Sequence, residues 1–326
     1  MKLIRHLENP ILKPNLERWW EAEAVFNCSV VRDQNGIFHM LFRALSTPLQ
    51  RNGDSISISS IGYAKSEDGI HFKDRRFFFG PEYGWERYAC EDPRITYFDG
   101  KYYVFYTAVS TWPPHPEGVK VALATTKNFD DYEKHGVITP FNAKSMALFP
   151  EKINEKIVVI FAYNPDIPPS RVVIAYFDSI NDLINPPNGY WKNWLMHLEQ
   201  NTVFKAEPPQ KFVEVGAPPI KTDKGWILIY PDITPDLVFR INAMLLNLEN
   251  PCQILATFPE PILIPEIEYE MQGKVVPKIA FPSGAVVKDG QLYVYYGASD
   301  KYCCLAICEL EKLLNRLLGV YLSGYR

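Results

Sequence analysis

The feature that most restricts the fold is a unit that recurs five times along 326 residues. Each copy reads as an apolar strand, a polar turn and a second strand ending in an aromatic. The copies are FNCSVVRDQNGIFHMLFRA (26–44), EDPRITYFDGKYYVFYTA (91–108), LFPEKINEKIVVIFAY (148–163), GAPPIKTDKGWILIYPD (216–232) and FPSGAVVKDGQLYVYYGA (281–298). The aligned aromatics are Phe42, Tyr106, Phe161, Tyr230 and Tyr296, roughly 55 to 70 residues apart, the spacing of repeat architectures rather than of a parallel α/β fold. Four of the five turns, Asn35-Gly36, Asp99-Gly100, Lys224-Gly225 and Asp289-Gly290, supply residues that tolerate the positive φ of tight hairpins. Further strand patterns follow each hairpin, at 59–74, 119–135, 171–179, 239–251 and 302–310. Units of about four strands predict an all-β, five-bladed β-propeller filling residues 1–326 as one domain. The one helix predicted spans 310–321, where Leu310, Leu313, Leu314, Leu317 and Leu318 fall on one face.

Composition agrees. Tyr and Phe number 19 each and Pro 27, which suits sheets joined by many turns. A net charge of -4 with mixed signs gives no footprint for nucleic acid or a membrane surface. No apolar run reaches the length of a transmembrane helix. The start, MKLIRHLENPILKP, lacks an apolar core and a small-residue cleavage site, so a cytoplasmic location is expected; a periplasmic one would require a signal already removed. Six cysteines without zinc spacing read as reduced thiols, and neither metal nor cofactor is expected.

In a propeller the first strand of each blade lines the central channel. Polar residues at its start then converge on one funnel, which places Asn27, Glu91, Asp92, Glu151, Glu214 and Ser283 together, with Arg43 and Asp232 at the ends of second strands. Taken alone, Asp92 before Pro93 reads as a turn residue, Glu151 as a solvated charge, and Asp232 as a cap on its own turn. Most tryptophans read as filling between sheets. Trp112, in the Pro-rich loop STWPPHPEG, is the better candidate for a ligand platform.

The residues resemble glycoside hydrolase family 130, five-bladed propellers acting on β-mannosides. The resemblance is carried by NPIL (9–12), VFNCSVV (25–31), FRA (42–44), IGYAKSEDGIHF (61–72), CEDPRITYFDGKYYVFYTA (90–108), LFPEKI (148–153), PPIKTDKGWILIY (218–230) and YYGASD (295–300), in family order. It implies that Asp92 is the general acid, that Asn27, Arg43 and Asp300 hold the mannosyl unit, and that Glu91 and Arg94 tune and orient Asp92. Most family members are phosphorylases, in which a cluster of arginine, lysine and histidine holds phosphate. Here that cluster is largely replaced, by Glu151 in FPEK, Ala162-Tyr163, Phe212 and Glu214 in FVEVGA, and Tyr230-Pro231-Asp232, with Lys144 the one cation remaining.

A phosphate dianion needs cations or N–H donors, and a carboxylate-lined pocket repels it. The same carboxylates suit water activation by an inverting glycosidase. The expectation is therefore an inverting exo-β-mannosidase acting on short manno-oligosaccharides, β-1,2-linked. Asp92 is the acid, its pKa raised by burial or by Glu91. The base is Glu214 first, then Glu151, then Asp232. The alternatives are a β-mannoside phosphorylase using Lys144 or Arg171, and a non-catalytic carbohydrate-binding propeller. The expected partner is a manno-oligosaccharide or other β-mannoside; a homo-oligomer is compatible with the sequence.

Overall fold

Strands whose residues alternate between two apolar faces must be covered on both sides, and the computed structural model, which describes residues 1–51, 53–273 and 278–323, shows how. It is an all-β structure. The first unit pairs Ala24–Arg32, Phe38–Leu45, Ser59–Ser66 and Lys73–Phe79, and the second Ala89–Phe98, Lys101–Val109, Val119–Thr126 and Glu133–Val137. Antiparallel throughout, these two units touch through one parallel pair, Ser59 with Ala89. The third sheet orders Ala143–Leu148, Ile157–Tyr163, Arg171–Phe177 and Thr202–Lys205. The fourth orders Ile220–Lys221, Trp226–Ile233, Phe239–Leu246 and Ile254–Thr257. In the last sheet Ala280–Lys288, Gln291–Ala298 and Tyr302–Glu309 are completed by Ile4–Arg5 from the other end of the chain. The hairpin pattern does not reveal this closing strand, because two residues carry no period.

The core lies between consecutive sheets. On Trp226–Ile233, Ile227 and Ile229 pack toward the fifth sheet while Trp226 and Leu228 pack toward the third. On Lys101–Val109, Tyr102, Val104 and Tyr106 face the first unit and Tyr103 and Phe105 the third. A further cluster joins the first unit to the fifth sheet through Phe38, Met40, Tyr295 and Leu305. The predicted C-terminal helix spans Leu310–Ser323 and buries Leu313, Leu314 and Leu317 against the fourth and fifth sheets.

Two departures from the sequence expectation matter. Between the last two strands of the third sheet the chain forms the short helices Ile180–Ile184 and Tyr190–Met196. Trp191 and Trp194 on the second of these are buried against Phe141 and Phe161, their indole N–H groups donating to the carbonyls of Ile138 and Ile174. The predicted third hairpin also shifts. Its first strand is Ala143–Leu148, and its turn, which has no glycine, places Asn154 and Glu155 at positive φ, 49° and 63°.

Candidate active site

A β-bulge inserts one unpaired residue into a strand and re-aims its side chain. The first strands of three sheets carry one at matching positions. The ladder is interrupted between Phe26 and Ser29, between Glu91 and Arg94, and between Lys144 and Ala147. In each gap a non-glycine residue takes a left-handed backbone: Asn27 at φ 47°, Asp92 at 50° and Ser145 at 53°. Such conformations cost of order 1–3 kcal/mol each and persist where the surroundings enforce them. Here they bring Asn27 against Asp92 and Ser145 against Glu214.

The resulting cluster is tightly bonded. Asn27 Nδ2 donates to Asp92 Oδ1 at 2.8 Å, and Arg43 Nη1 reaches the same oxygen at 3.4 Å. Arg43 Nη2 donates to Glu91 Oε1 at 2.6 Å and its Nε to Ser59 Oγ at 3.0 Å, with the guanidinium 4.7 Å from the Phe26 ring centre. Ser59 Oγ in turn donates to Glu91 Oε1 at 3.3 Å. Both contacts to Asp92 fall on Oδ1, and no described residue donates to Oδ2. Asn27 is itself held by lack of space. A Cβ at Gly297 would lie 2.1 Å from Asn27 Oδ1, so only glycine fits there. Across the funnel Ser145 Oγ donates to Glu214 Oε2 at 3.1 Å.

Asp92 is 8% exposed. Burial pushes its carboxyl up, but the charges of Arg43 and Arg94, the Asn27 hydrogen bond and the charge of Lys144 outweigh it and hold the pKa below the usual carboxylate range. The sequence expectation of a raised pKa is corrected here, because it counted burial and Glu91 but not two guanidiniums. Glu214 goes the other way. Burial raises it and Asp92 adds to the rise, against Lys144, Ser145 and Arg94. Asp300 is also raised, to about 6, by burial first and by Asp92, Glu91 and Glu214, with Arg43 opposing. Asp300 itself is exposed to solvent. Burial lowers the Lys144 pKa, but Glu214, Glu91 and Asp92 more than compensate, so it is held firmly cationic.

Asn27, Arg43, Glu91, Asp92, Glu214 and Asp300 therefore come together as the sequence suggested, joined by Lys144 and by two residues not foreseen, Ser59 and Ser145. Arg94 belongs to the framework rather than to a substrate surface. Fully buried, it donates to the carbonyl oxygens of Asp92, Pro93, Val215 and Gly216 at 2.5–3.3 Å, tying the second unit to the fourth beneath the cluster. Glu151 is corrected outright. It lies beyond the far end of Ala143–Leu148, exposed and paired with Lys221. The residue that matches Glu91 by strand position is Lys144. Asp232 lies near the end of Trp226–Ile233 and accepts from Arg240 Nη2 at 2.5 Å, so its charge is compensated. Trp112 stands exposed in the loop that follows Lys101–Val109, with its ring 6.4 Å from that of Tyr88. Among the described residues no group of histidine, cysteine, aspartate and glutamate could hold a metal ion. No helix there is long and apolar enough to cross a membrane.

Paired carboxylates whose pKa values are pushed apart, set among cations on an all-β scaffold, are the kind of acid/base arrangement that enzymes acting on glycosidic bonds use. The chain belongs to glycoside hydrolase family 130, whose model, described as beta-1,4-mannooligosaccharide phosphorylase, matches residues 5–318. Among its relatives is a 1,2-beta-oligomannan phosphorylase of Thermoanaerobacter sp. (strain X514), 38% identical over 96% of this chain and 99% of the relative. A beta-1,2-mannobiose phosphorylase of the same strain is 36% identical over 96% and 99%. The solved structure of the beta-1,2-mannobiose phosphorylase from Listeria innocua superposes with a TM-score of 0.80 at 25% identity, covering 97% of this chain and 99% of the other.

Proposed function

We propose that this protein is a β-mannoside phosphorylase that cleaves short, β-1,2-linked manno-oligosaccharides with inorganic phosphate, on a five-bladed propeller formed by the whole chain. The five-bladed reading is supported by apolar layers joining each unit to the next and the fifth to the first. In the reaction the bond between the anomeric carbon and the glycosidic oxygen breaks as a phosphate oxygen bonds to that carbon from the opposite face. Asp92 supplies the proton that the leaving oxygen takes up, directly or through a sugar hydroxyl. Since the two guanidiniums hold Asp92 ionised in the open funnel, substrate must exclude water and raise its pKa before the proton can be given.

The observation that carries the phosphate reading is Lys144. It is a half-buried cation at the bulge of the third sheet, close enough to Glu214, Glu91 and Asp92 for their charges to hold it protonated, and it offers an anion a partner there. The electrostatic objection to phosphate is also weaker than the sequence implied. Of the three carboxylates expected to repel it, Glu151 is elsewhere and Asp232 is paired with Arg240. Glu214 faces Lys144 and takes a proton more readily than a free glutamate. Phosphorylase activity in relatives of nearly full-length similarity favours the same reading.

One observation favours hydrolysis as a second reading. A half-buried glutamate oriented by Ser145, with a raised pKa, is a suitable general base for water. Incubating the protein with β-1,2-mannobiose, with and without phosphate, separates the two. Mannose 1-phosphate formed only when phosphate is present supports phosphorolysis. Equal release of mannose in both would establish hydrolysis.

A further inference from the structure

Glu214 lies outside every strand, yet its backbone is pinned on both sides. Val213 and Val215 are buried between the third and fourth sheets. The Val213 N–H donates to Ser170 Oγ at 2.6 Å, and the carbonyls of Val215 and Gly216 accept from Arg94 at 3.3 and 2.5 Å. With both neighbours in the core, Glu214 is left to face the bulge of the third sheet, where Ser145 Oγ donates to its Oε2 at 3.1 Å. Its other oxygen, Oε1, accepts from no described residue. Lys144, the residue before Ser145, has no hydrogen bond or ion pair among the described residues; the charges of Glu214, Glu91 and Asp92 act on it from further off. Both side chains are half-buried, and neither Glu214 Oε1 nor Lys144 Nζ is enclosed. Both atoms can therefore meet a ligand in the funnel.

A cation with a carboxylate near it receives some anions and rejects others. Near neutral pH inorganic phosphate keeps at least one proton, so it carries an O–H donor as well as acceptor oxygens. Sulfate has the same shape and keeps no proton. At Lys144 alone the two would bind alike. At Glu214 Oε1 phosphate can give a hydrogen bond, whereas sulfate sets one bare oxygen against another. A hydrogen bond to a charged group is worth roughly tenfold to a hundredfold in affinity, and the repulsion between the bare oxygens adds to the difference. Burial also raises the affinity of Glu214 for a proton, which suits a proton lying between two oxygens.

We infer that Glu214 is the residue by which the funnel selects a protonated tetrahedral oxyanion: one proton lies between Glu214 Oε1 and a phosphate oxygen, and Lys144 takes an oxygen that carries none. The other oxygens stay free to reach the anomeric carbon. The inference rests on the phosphorylase reading above. It makes the carboxylate that argued against phosphate the group that recognises it.

The test is a calorimetric titration of the full-length protein at pH 7 with phosphate, arsenate and sulfate. Arsenate keeps a proton as phosphate does. Phosphate and arsenate are expected to bind roughly 10–100-fold more tightly than sulfate. Glu214→Gln, whose amide can donate to any of the three, should bring the three affinities together. Ser145→Ala, a smaller change that frees Glu214 to turn away, should narrow the gap and decides the matter if the glutamine variant does not fold. Lys144→Met should weaken all three alike. Equal affinities in the unaltered protein, or a gap that survives both Glu214→Gln and Ser145→Ala, would overturn the selecting role while mannose 1-phosphate formation left the phosphorylase reading standing. No binding of any of the three, with mannose released from β-1,2-mannobiose equally with and without phosphate, would overturn both.

Discussion

The second unit and the third sheet carry a bulge at matching strand positions, yet they contribute opposite charges. In one, Glu91 precedes a left-handed Asp92; in the other, Lys144 precedes a left-handed Ser145. The backbone device is shared, and the side chains on it divide the chemistry. In the proposed reaction the second unit supplies the proton; the third sheet carries a cation and a hydroxyl that orients Glu214. Acid and nucleophile are thus set by two strands that can vary independently. A common acid motif therefore says nothing about whether phosphate or water attacks.

The comparison can be broken at several points. The largest effect is expected for Asp92→Asn, which removes the proton donor of the second sheet while keeping the Asn27 contact. Turnover should fall by roughly 10²–10⁴, the usual share of general acid catalysis, with the circular dichroism spectrum unchanged. Next is Arg94→Met, which leaves four buried carbonyls without their donor. A loss of about 3–5 kcal/mol in urea unfolding is expected, as for a buried charge network cut on one side. Lys144→Met should raise the KM for phosphate by roughly 10–100-fold, the equivalent of one charge-assisted hydrogen bond, and raise that for the mannoside much less. Glu151→Gln, the control beyond the far end of that strand, should leave both KM values unchanged.

The carboxylates also predict opposite responses to pH. Asp92 titrates below its unfolded value, so its contribution to stability is present above about pH 4 and is lost as pH falls. Asp300 titrates above its unfolded value, at about 6, so its contribution is present below about pH 4 and is lost as pH rises through 6. Asp300→Asn should therefore stabilise the protein more at pH 7 than at pH 4, and Asp92→Asn should destabilise it more at pH 7 than at pH 3. Urea unfolding at those pH values measures both.

How much of this was legible in the sequence differed between the same two sheets. Glu91-Asp92 could be found because Asp99-Gly100 fixed the hairpin behind them, and both residues of that turn indeed have positive φ. The third hairpin turns at Asn154-Glu155, with no glycine to mark it, so its register was read several residues late. Glu151 was thereby placed in the funnel and Ser145 missed. In the sequence Lys144 reads only as the one remaining cation, because the register that sets it at the bulge has no glycine turn to mark it. Pairwise electrostatics were not legible either. The depressed Asp92 depends on Arg43 first and then on Arg94, which the sequence assigns to tuning Asp92 without showing that it is buried and bonded to the carbonyls of Val215 and Gly216. The closing strand Ile4–Arg5 and the helix carrying Trp191 and Trp194 escaped because both are short and set by tertiary packing rather than by period.

The central claim is that the third sheet's cation serves a phosphate nucleophile. It is tested most directly by running the reaction on β-1,2-mannobiose in ¹⁸O-enriched water with unlabelled phosphate and following the anomeric oxygen by mass spectrometry. The account predicts mannose 1-phosphate whose anomeric oxygen is unlabelled. Free mannose carrying ¹⁸O at the anomeric position as the main product of the cleaved unit, formed in the same yield after Lys144→Met, would contradict it.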